Sequence, residues 1–248
     1  MARNGGRIVA TIEARMTSSR LPGKVLKPCL GRPMLELMIE RVRRAPSLSG
    51  VVVCTTTNPA DDPVVELCER LKVWYWRGSE EDVLQRVLHG AQMHGIDTIV
   101  ELTGDCPLID PALIEETISA YLKAGVDYCS NALVRSYPIG MDTQVFATKV
   151  LADVDSRTKD PVDHEHVSLY IYRHPELYSL KAVEAPPALR LPEMRLTLDT
   201  PEDLALITAV FERLAPTKPA FDLADVLAVL DSEPALKALN AHVQHRYV

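Results

Sequence analysis

The sequence predicts an α/β fold with a doubly wound, mostly parallel sheet and a mixed α+β elaboration toward the C-terminus. Short apolar runs alternate with segments of helical periodicity through the first half of the 248-residue chain. Such repetition is typical of parallel strands joined by crossover helices. The alternation breaks down after about Val126, and neither a Gly/Ser-rich linker nor an internal repeat divides the chain. We therefore expect a single domain over residues 1–248.

Four strand and helix pairs account for the first half. The predicted strands are short apolar runs, namely RIVATI (7–12), GVVVCTT (50–56), VWYW (73–76) and DTIVELTG (97–104). Each is followed by apolar residues at helical spacing that begin with proline or acidic residues, in PMLELMIERVRRA (33–45), DDPVVELCERL (61–71), EEDVLQRVLHGAQMHG (80–95) and DPALIEETISAYLKAG (110–125). Ligands of such sheets bind beyond the carboxyl ends of the strands.

The second half lacks this regular alternation. We predict strands in DYCSN (127–131), MDTQVFA (141–147), LYSLKAV (177–183) and LPEMRLTLDT (191–200). Helices are predicted around DHEHVSLYIYRH (163–174), in PEDLALITAVFERLA (201–215) and in the peripheral segment 216–248.

Composition limits the class of partner. The net charge of −7 disfavours a polyanion such as nucleic acid. The five cysteines form no CxxC pair, which argues against a zinc site or a disulfide framework. No apolar stretch approaches ~20 residues, and the N-terminus does not resemble a signal peptide. We expect a cytoplasmic protein with a small-molecule partner, without nucleic acid or membrane.

A basic loop follows the first predicted strand. The segment ARMTSSRLPGK (14–24) brings the cations Arg15, Arg20 and Lys24, three small hydroxyl side chains, and Gly23, which lets the backbone approach a bulky anion. These features together fit a polyphosphate at the sheet edge. The segment matches neither the Walker pattern nor GxGxxG, so a solvated surface loop is the alternative interpretation.

Two acidic residues follow other predicted strands. Asp105 comes after a glycine in ELTGDCPLID, and Asp199 ends a predicted strand directly before a helix in RLTLDTPEDL. Carboxylates beside phosphates are typical ligands of Mg²⁺. The alternative for Asp199 is a helix N-cap, for which Thr200 is a rival. Together with the basic loop, the two acids predict a magnesium and polyphosphate site.

Several ordered blocks resemble one family. They include EARMTSSRLPGKVLKPCLGRPML, RGSEEDVLQR, ELTGDCPLIDP, HEHVSLYIYRHPE and RLTLDTPEDL, and they are similar to the cytidylyltransferases that make CMP-KDO and CMP-sialic acid, above all to the branch of the spore-coat polysaccharide biosynthesis protein F. The resemblance implies a Rossmann-like fold of the nucleotide-diphospho-sugar transferase type. It also implies a nucleotide-binding half at about 7–125 and a half at about 126–215 that binds the acceptor and is a candidate for dimerisation.

The resemblance carries roles onto individual residues. It implies that Arg15 and Lys24 hold the triphosphate and act in catalysis with Asp105, while Asp105 and Asp199 hold Mg²⁺. Further nucleotide contacts are expected in the basic loop and at the end of a strand, at Ser19, Arg20, Gly23 and Gly104. Contacts to the base are expected at Thr55, Thr56, Arg77, Ser79 and Asp82. From their places in the sequence, contacts to the acceptor are expected at Tyr137, Asp142, Glu165 and His166. The alternative for Glu165 and His166 is a capped helix end whose polar residues face water.

The implied function is CTP-dependent transfer of CMP to a sugar, sugar acid or related acceptor, with release of pyrophosphate, by a homodimer that serves surface polysaccharide or glycoconjugate biosynthesis. The sequence departs from the KDO enzymes at Cys106, where their GDEP motif has an acid, which leaves the acceptor open. Two alternatives remain: the same chemistry with another nucleotide such as GTP or a non-sugar phosphate acceptor, and a non-catalytic nucleotide-binding scaffold.

Overall fold

The computed structural model describes residues 5–244. The strands in that part of the chain are β1 (Ile8–Glu13), β2 (Pro28–Cys29), β3 (Arg32–Pro33), β4 (Val51–Thr56), β5 (Trp74–Gly78), β6 (Thr98–Thr103), β7 (Tyr128–Ser130), β8 (Gln144–Ala147) and β9 (Leu180–Ala182). The α-helices are α1 (Met34–Val42), α2 (Asp62–Leu71), α3 (Val83–Met93), α4 (Pro111–Ala124), α5 (Thr148–Arg157), α6 (Pro161–Glu165), α7 (Leu169–Arg173), α8 (Pro201–Leu214), α9 (Leu223–Ser232) and α10 (Pro234–Lys237).

Seven of these strands form one sheet in the order β5-β4-β1-β6-β8-β7-β9, and β2 and β3 form a separate hairpin. Strand β8 runs antiparallel to both of its neighbours, and the other pairs in the large sheet are parallel. The predicted α/β fold with a mostly parallel sheet is therefore confirmed. The chain adds β4 and β5 on one side of β1 and then places β6 on the other, so the order reverses at β1. Ligands bind at such a reversal in open α/β sheets.

Side-chain alternation along β1 divides the core into two layers. Ala10 and Ile12 pack with residues of α1, α2 and α4, whereas Val9 packs with residues of α3 and α5. Since successive side chains in a strand point to opposite faces, Glu13 shares the α3 face with Val9. A third apolar cluster joins α1 and α4 to the C-terminal helices α8 and α9.

The structure corrects two predicted elements of the second half. Residues 191–200 do not form a strand. Their backbone bonds are spread over several partners: Leu191 N donates to Ser136 O at 3.1 Å, whereas Leu198 N donates to Asp105 O at 2.7 Å. Only an isolated bridge between Ile139 and Arg195 is formed. The predicted helix over 163–174 is broken between α6 and α7, because Val167 there adopts a φ of 23°.

Two elements carried no recognised signal in the sequence, namely α5 and the β2–β3 hairpin. All five cysteines are buried and none is paired within residues 5–244. Among the described helices, none combines the length and apolar character needed to cross a membrane.

Candidate active site

A cavity of about 540 Å³ opens at the carboxyl ends of β1 and β6. Its walls come from the basic loop 14–24, from residues 101–106 at the end of β6, from the segment 139–144, and from the break between α6 and α7. The cavity thus lies where the order of the strands reverses, as the fold predicts.

The basic loop is held in place by Asp61, a residue that was not predicted from the sequence to belong to the site. Asp61 is fully buried. Its Oδ1 accepts a bond of 2.7 Å from Met16 N, and its Oδ2 accepts one of 3.2 Å from Thr56 N. Gly23 closes the loop with a φ of 68°, in the left-handed region that favours glycine. Asp61 therefore ties the loop to the end of β4.

Four predicted site residues of this loop line the cavity, namely Arg15, Ser19, Arg20 and Lys24. The Lys24 ammonium lies 2.6 Å from Asp105 Oδ2 and 2.8 Å from Asp199 Oδ1. Arg20 also contacts Asp199, at 2.9 Å. Burial opposes the charge of Lys24, but the two carboxylates outweigh it and raise the pKa of the ammonium. The structure therefore brings Lys24, Arg20 and the two predicted metal ligands into one cluster, whereas Arg15 donates to the backbone oxygen of Glu80 at 3.2 Å.

Asp199 is held from behind by a buried ion-pair network. Arg195 Nη2 lies 2.7 Å from Asp199 Oδ2, and Arg195 Nε lies 2.9 Å from Asp203 Oδ1. Asp203 also accepts 2.9 Å bonds from the backbone N–H groups of Asp199 and Thr200, and Asn240 Nδ2 donates to it at 2.8 Å. Thr200 is the N-cap of α8. Asp199 therefore does not cap the helix, and its carboxylate faces the cavity.

The position of Asp105 depends on the glycine before it. Gly104 N donates to Glu13 O at 2.9 Å, and a Cβ at Gly104 would lie 2.7 Å from that same oxygen. Only glycine allows this close approach of β1 and the end of β6 without a shift of the backbone. The approach directs the following residue, Asp105, into the cavity opposite Lys24.

The chemistry of this donor set fits a divalent metal ion. Asp105 and Asp199 both contact the single ammonium of Lys24, so their oxygens converge on one small region of the cavity. Hard oxygen donors of this kind, one or two carboxylates beside phosphates, are what Mg²⁺ prefers. These two residues are the ones that would hold it.

The predicted base contacts do not line the cavity, and all of them except the Thr55 hydroxyl have structural partners. Thr55 and Thr56 are buried at the end of β4. Arg77 donates to the backbone oxygen of Thr56 at 2.7 Å. Ser79 Oγ accepts from the backbone of the next turn, and Asp82 caps α3. Their role in reading the base stays a prediction.

The acceptor residues divide in a similar way. Asp142, Glu165 and His166 line the cavity. Tyr137 is 1% exposed and packs in the C-terminal core cluster, where its hydroxyl donates to Glu116 Oε2 at 3.2 Å. Its position therefore lends no support to a direct acceptor contact.

A second part of the cavity wall contains none of the residues predicted from the sequence. We call it the deep chamber and define it by residues from β1, α3, β6, β8 and the segment that follows α6, namely Glu13, Arg86, Glu101, Gln144, Ser168 and Tyr172. A signal was present, because Glu13 ends the mostly apolar strand IVATIE and Glu101 lies within the mostly apolar strand TIVELT.

Burial dominates the electrostatics of the two glutamates. It raises the pKa of Glu101 to about 8. Burial, followed by the neighbouring charge of Glu101, also raises the pKa of Glu13 well above its ordinary value. Glu101 Oε2 and Glu13 Oε1 have no hydrogen-bond partner within residues 5–244. The two carboxyl groups are therefore desolvated without full compensation from the protein.

This burial predicts how stability responds to pH. The unfolded chain releases the Glu101 proton near pH 4.5, whereas the folded chain retains it to about pH 8. The stability contributed by protonated Glu101 therefore falls between these values and levels off above them. Relative to wild type, we expect Glu101→Gln to gain stability over this range, on the order of 5 kcal/mol by pH 8.5. Denaturant unfolding at several pH values measures the difference.

Glu36→Gln is the matched control for that experiment. Burial opposes the charge of Glu36, but Arg70 and Arg32 outweigh it and lower the pKa of this carboxyl group. Its stability contribution is present above its ordinary pKa and lost in acid, so this variant should lose stability at neutral pH. A gap between Glu101→Gln and wild type that stays constant from pH 5 to 8.5 would contradict the prediction.

Comparisons with known proteins agree with this geometry. A family described as Cytidylyltransferase matches residues 9–231. The spore coat polysaccharide biosynthesis protein SpsF of Bacillus subtilis is 35% identical, with 92% of this chain and 95% of that protein covered. A cytidylyltransferase structure from Leptospira borgpetersenii is 29% identical, covers 98% of both chains and has a TM-score of 0.85.

A more distant structure shows the same fold. It is that of a CMP:2-keto-3-deoxy-manno-octonic acid synthetase complexed with CTP, at 19% identity and a TM-score of 0.64, with 84% of this chain and 99% of that chain covered. The family match spans most of the chain, and both higher-identity relatives are covered nearly end to end. The chain therefore belongs to the cytidylyltransferase family and is a nucleotidyltransferase.

Proposed function

We propose that the chain transfers the CMP group of CTP to a sugar, a sugar acid or a related small acceptor and releases pyrophosphate, in the synthesis of a surface polysaccharide or glycoconjugate. The observation that carries this proposal is the cluster of Lys24, Asp105 and Asp199 at the carboxyl ends of the strands. The cytidylyltransferase family supports cytosine as the base.

The cations of the basic loop supply what this reaction requires. An acceptor oxygen attacks the α-phosphorus, and the bond to the β,γ-pyrophosphate breaks. Negative charge on the phosphates and the alignment of the two reactants dominate such a barrier, so no protein nucleophile is needed. Arg15, Arg20 and Lys24 bind the triphosphate and offset its charge. Asp105 and Asp199 would hold Mg²⁺, which supplies further compensation of phosphate charge when bound.

Pyrophosphate release tests the proposal. Each of CTP, UTP, ATP and GTP is offered with Mg²⁺ and a broad acceptor panel, and thermal stabilisation is measured in parallel. A nucleotide at 100 times its Kd should add about 2.7 kcal/mol of stability. We expect CTP to stabilise the protein most and to release pyrophosphate, and chelation of the metal by EDTA to stop the release. A preference for GTP would favour the alternative nucleotide, and binding without turnover would favour the scaffold.

Lys24→Met is the matching variant. We expect it to weaken CTP binding at least about tenfold, because a charge-assisted contact to phosphate is lost. Lys27→Met is the control, since Lys27 lies three residues further along the chain and outside the cavity wall. Equal CTP binding by the two variants would contradict the role of Lys24. The homodimer stays a prediction, which light scattering can check.

A further inference from the structure

The deep chamber has a polar floor that spans three strands. Glu101 of β6 is in register with Thr11 of β1 and with Gln144 of β8. The amide oxygen of Gln144 accepts 2.7 Å bonds from the hydroxyl groups of Tyr128 and Ser168. The Gln144 side chain is therefore fixed, and the Glu101 carboxyl group lies beside it on the α3 face of the sheet.

The unpartnered atoms of the chamber point to a ligand. Glu101 is 4% exposed, lines the cavity, and has no hydrogen-bond partner for Oε2 among the described residues. Glu13 Oε1 is likewise buried and unpartnered there. A buried polar atom without a partner destabilises the folded protein, and does so more when it is charged. Hydrogen-bond donors that arrive with a ligand would recover this cost.

The chemistry of these unpartnered atoms indicates which ligand group fits. Arg86 Nη1 donates to the backbone oxygens of Ser79 and Glu80, and Arg86 Nε has no hydrogen-bond partner among the described residues. A ligand carboxylate brings no donors to Glu13 Oε1 and Glu101 Oε2. An ammonium group brings three donors and a positive charge that favours the ionised form of both carboxyl groups.

We propose that the deep chamber binds the acceptor through a protonated primary amine, which donates to Glu13 Oε1 and Glu101 Oε2. This inference rests on the proposed function, because it identifies the chemical class of the second substrate. The acceptor is then an amino sugar or a related amino polyol whose amine is free. Its reacting oxygen faces the opposite end of the cavity, where Lys24 and Asp105 lie.

Matched probes test the class of acceptor. Glucosamine, galactosamine and mannosamine are each compared with their N-acetyl and hydroxyl counterparts and with KDO, in the presence of CTP and Mg²⁺. Binding is measured by thermal stabilisation of the CTP-bound protein, and CMP adducts are detected by mass spectrometry. We expect at least one free amine to bind about tenfold or more tightly than both of its counterparts.

Two variants and a control test whether the preference for a free amine comes from the deep chamber. Glu101→Gln and Glu13→Gln keep the shape of the side chain and remove the carboxyl group that can ionise beside an ammonium group, so each should abolish the preference for the free amine and leave CTP binding unchanged. Glu36→Gln, which changes a buried carboxylate outside the cavity, should keep the preference.

The outcomes separate this inference from the proposed function. Tighter or equal binding of the N-acetyl, hydroxyl or KDO probes overturns it, as does a failure of every amine to bind the CTP complex. A preference for the amine that survives both chamber variants overturns it as well. Failure of CTP itself to bind would instead contradict the proposed function.

Discussion

Replacement of Asp105 by asparagine is expected to lower the rate of CMP transfer at least about a hundredfold and to leave the fold intact. Asp105 contacts Lys24 at 2.6 Å on the cavity side. Its contribution to the fold comes from its backbone, because Asp105 O accepts a hydrogen bond from Leu198 N at 2.7 Å. Asparagine keeps that backbone bond and the side-chain shape, and it loses the negative charge that a divalent ion and Lys24 require.

Turnover with CTP and the thermal midpoint measure this prediction together. Asp153→Asn is the control, because Asp153 lies on α5 and outside the cavity wall. We expect the control to match wild type in turnover. Turnover of the Asp105→Asn variant within threefold of wild type would remove Asp105 from the chemistry, whereas an unfolded variant would assign it a structural role.

Replacement of Arg195 by methionine is expected to cost about 3–5 kcal/mol of stability. Arg195 is 5% exposed and pairs with both Asp199 and Asp203. Its removal leaves two acidic groups in a buried place without their shared cation. Because Asp199 also loses the contact that orients its Oδ2, turnover should fall even at temperatures where the variant is folded.

Denaturant unfolding at pH 7 measures the loss of stability. Arg195→Lys is the matched control, since it keeps the positive charge and loses the forked geometry, and we expect it to recover part of the stability. A loss below about 1 kcal/mol for Arg195→Met would show that other groups compensate for the two carboxylates.

Strand-end reasoning predicted the positions of Lys24 and Asp105, whereas Asp199 reaches the same cluster from a segment that is not a strand. Lys24, Asp105 and Asp199 are up to 175 positions apart in the chain, yet the structure places them in contact. The carboxyl ends of parallel strands share one edge, so residues that follow β1 and β6 meet there. This argument needs only the pattern of apolar runs, which the sequence displays clearly in its first half.

The ion pairs of Arg195 that hold Asp199 in place could not be predicted in the same way. Arg195 and Asp203 lie in the second half, where the chain forms scattered backbone bonds and the predicted strand over 191–200 is wrong. Asn240 reaches Asp203 from the C-terminal helical region. Such contacts depend on how the helices pack, and neither helical nor strand periodicity encodes them.

Glu13 and Glu101 illustrate a different limit. Each lies in a strand that was predicted from its apolar residues. The sequence alone does not show whether a charged side chain in such a strand faces solvent, another side chain or a cavity. The register of β1 and β6 decides this, because it places both side chains on the α3 face beside the cavity.

Binding of Mn²⁺ in the presence of CTP, followed by electron paramagnetic resonance, tests the central claim most directly. We expect wild-type protein with CTP to bind Mn²⁺ with magnetic coupling to phosphorus, and Asp105→Asn and Asp199→Asn each to weaken this binding at least about tenfold. Mn²⁺ binding that is unchanged in both variants, or that shows no coupling to phosphorus in wild type, would contradict it.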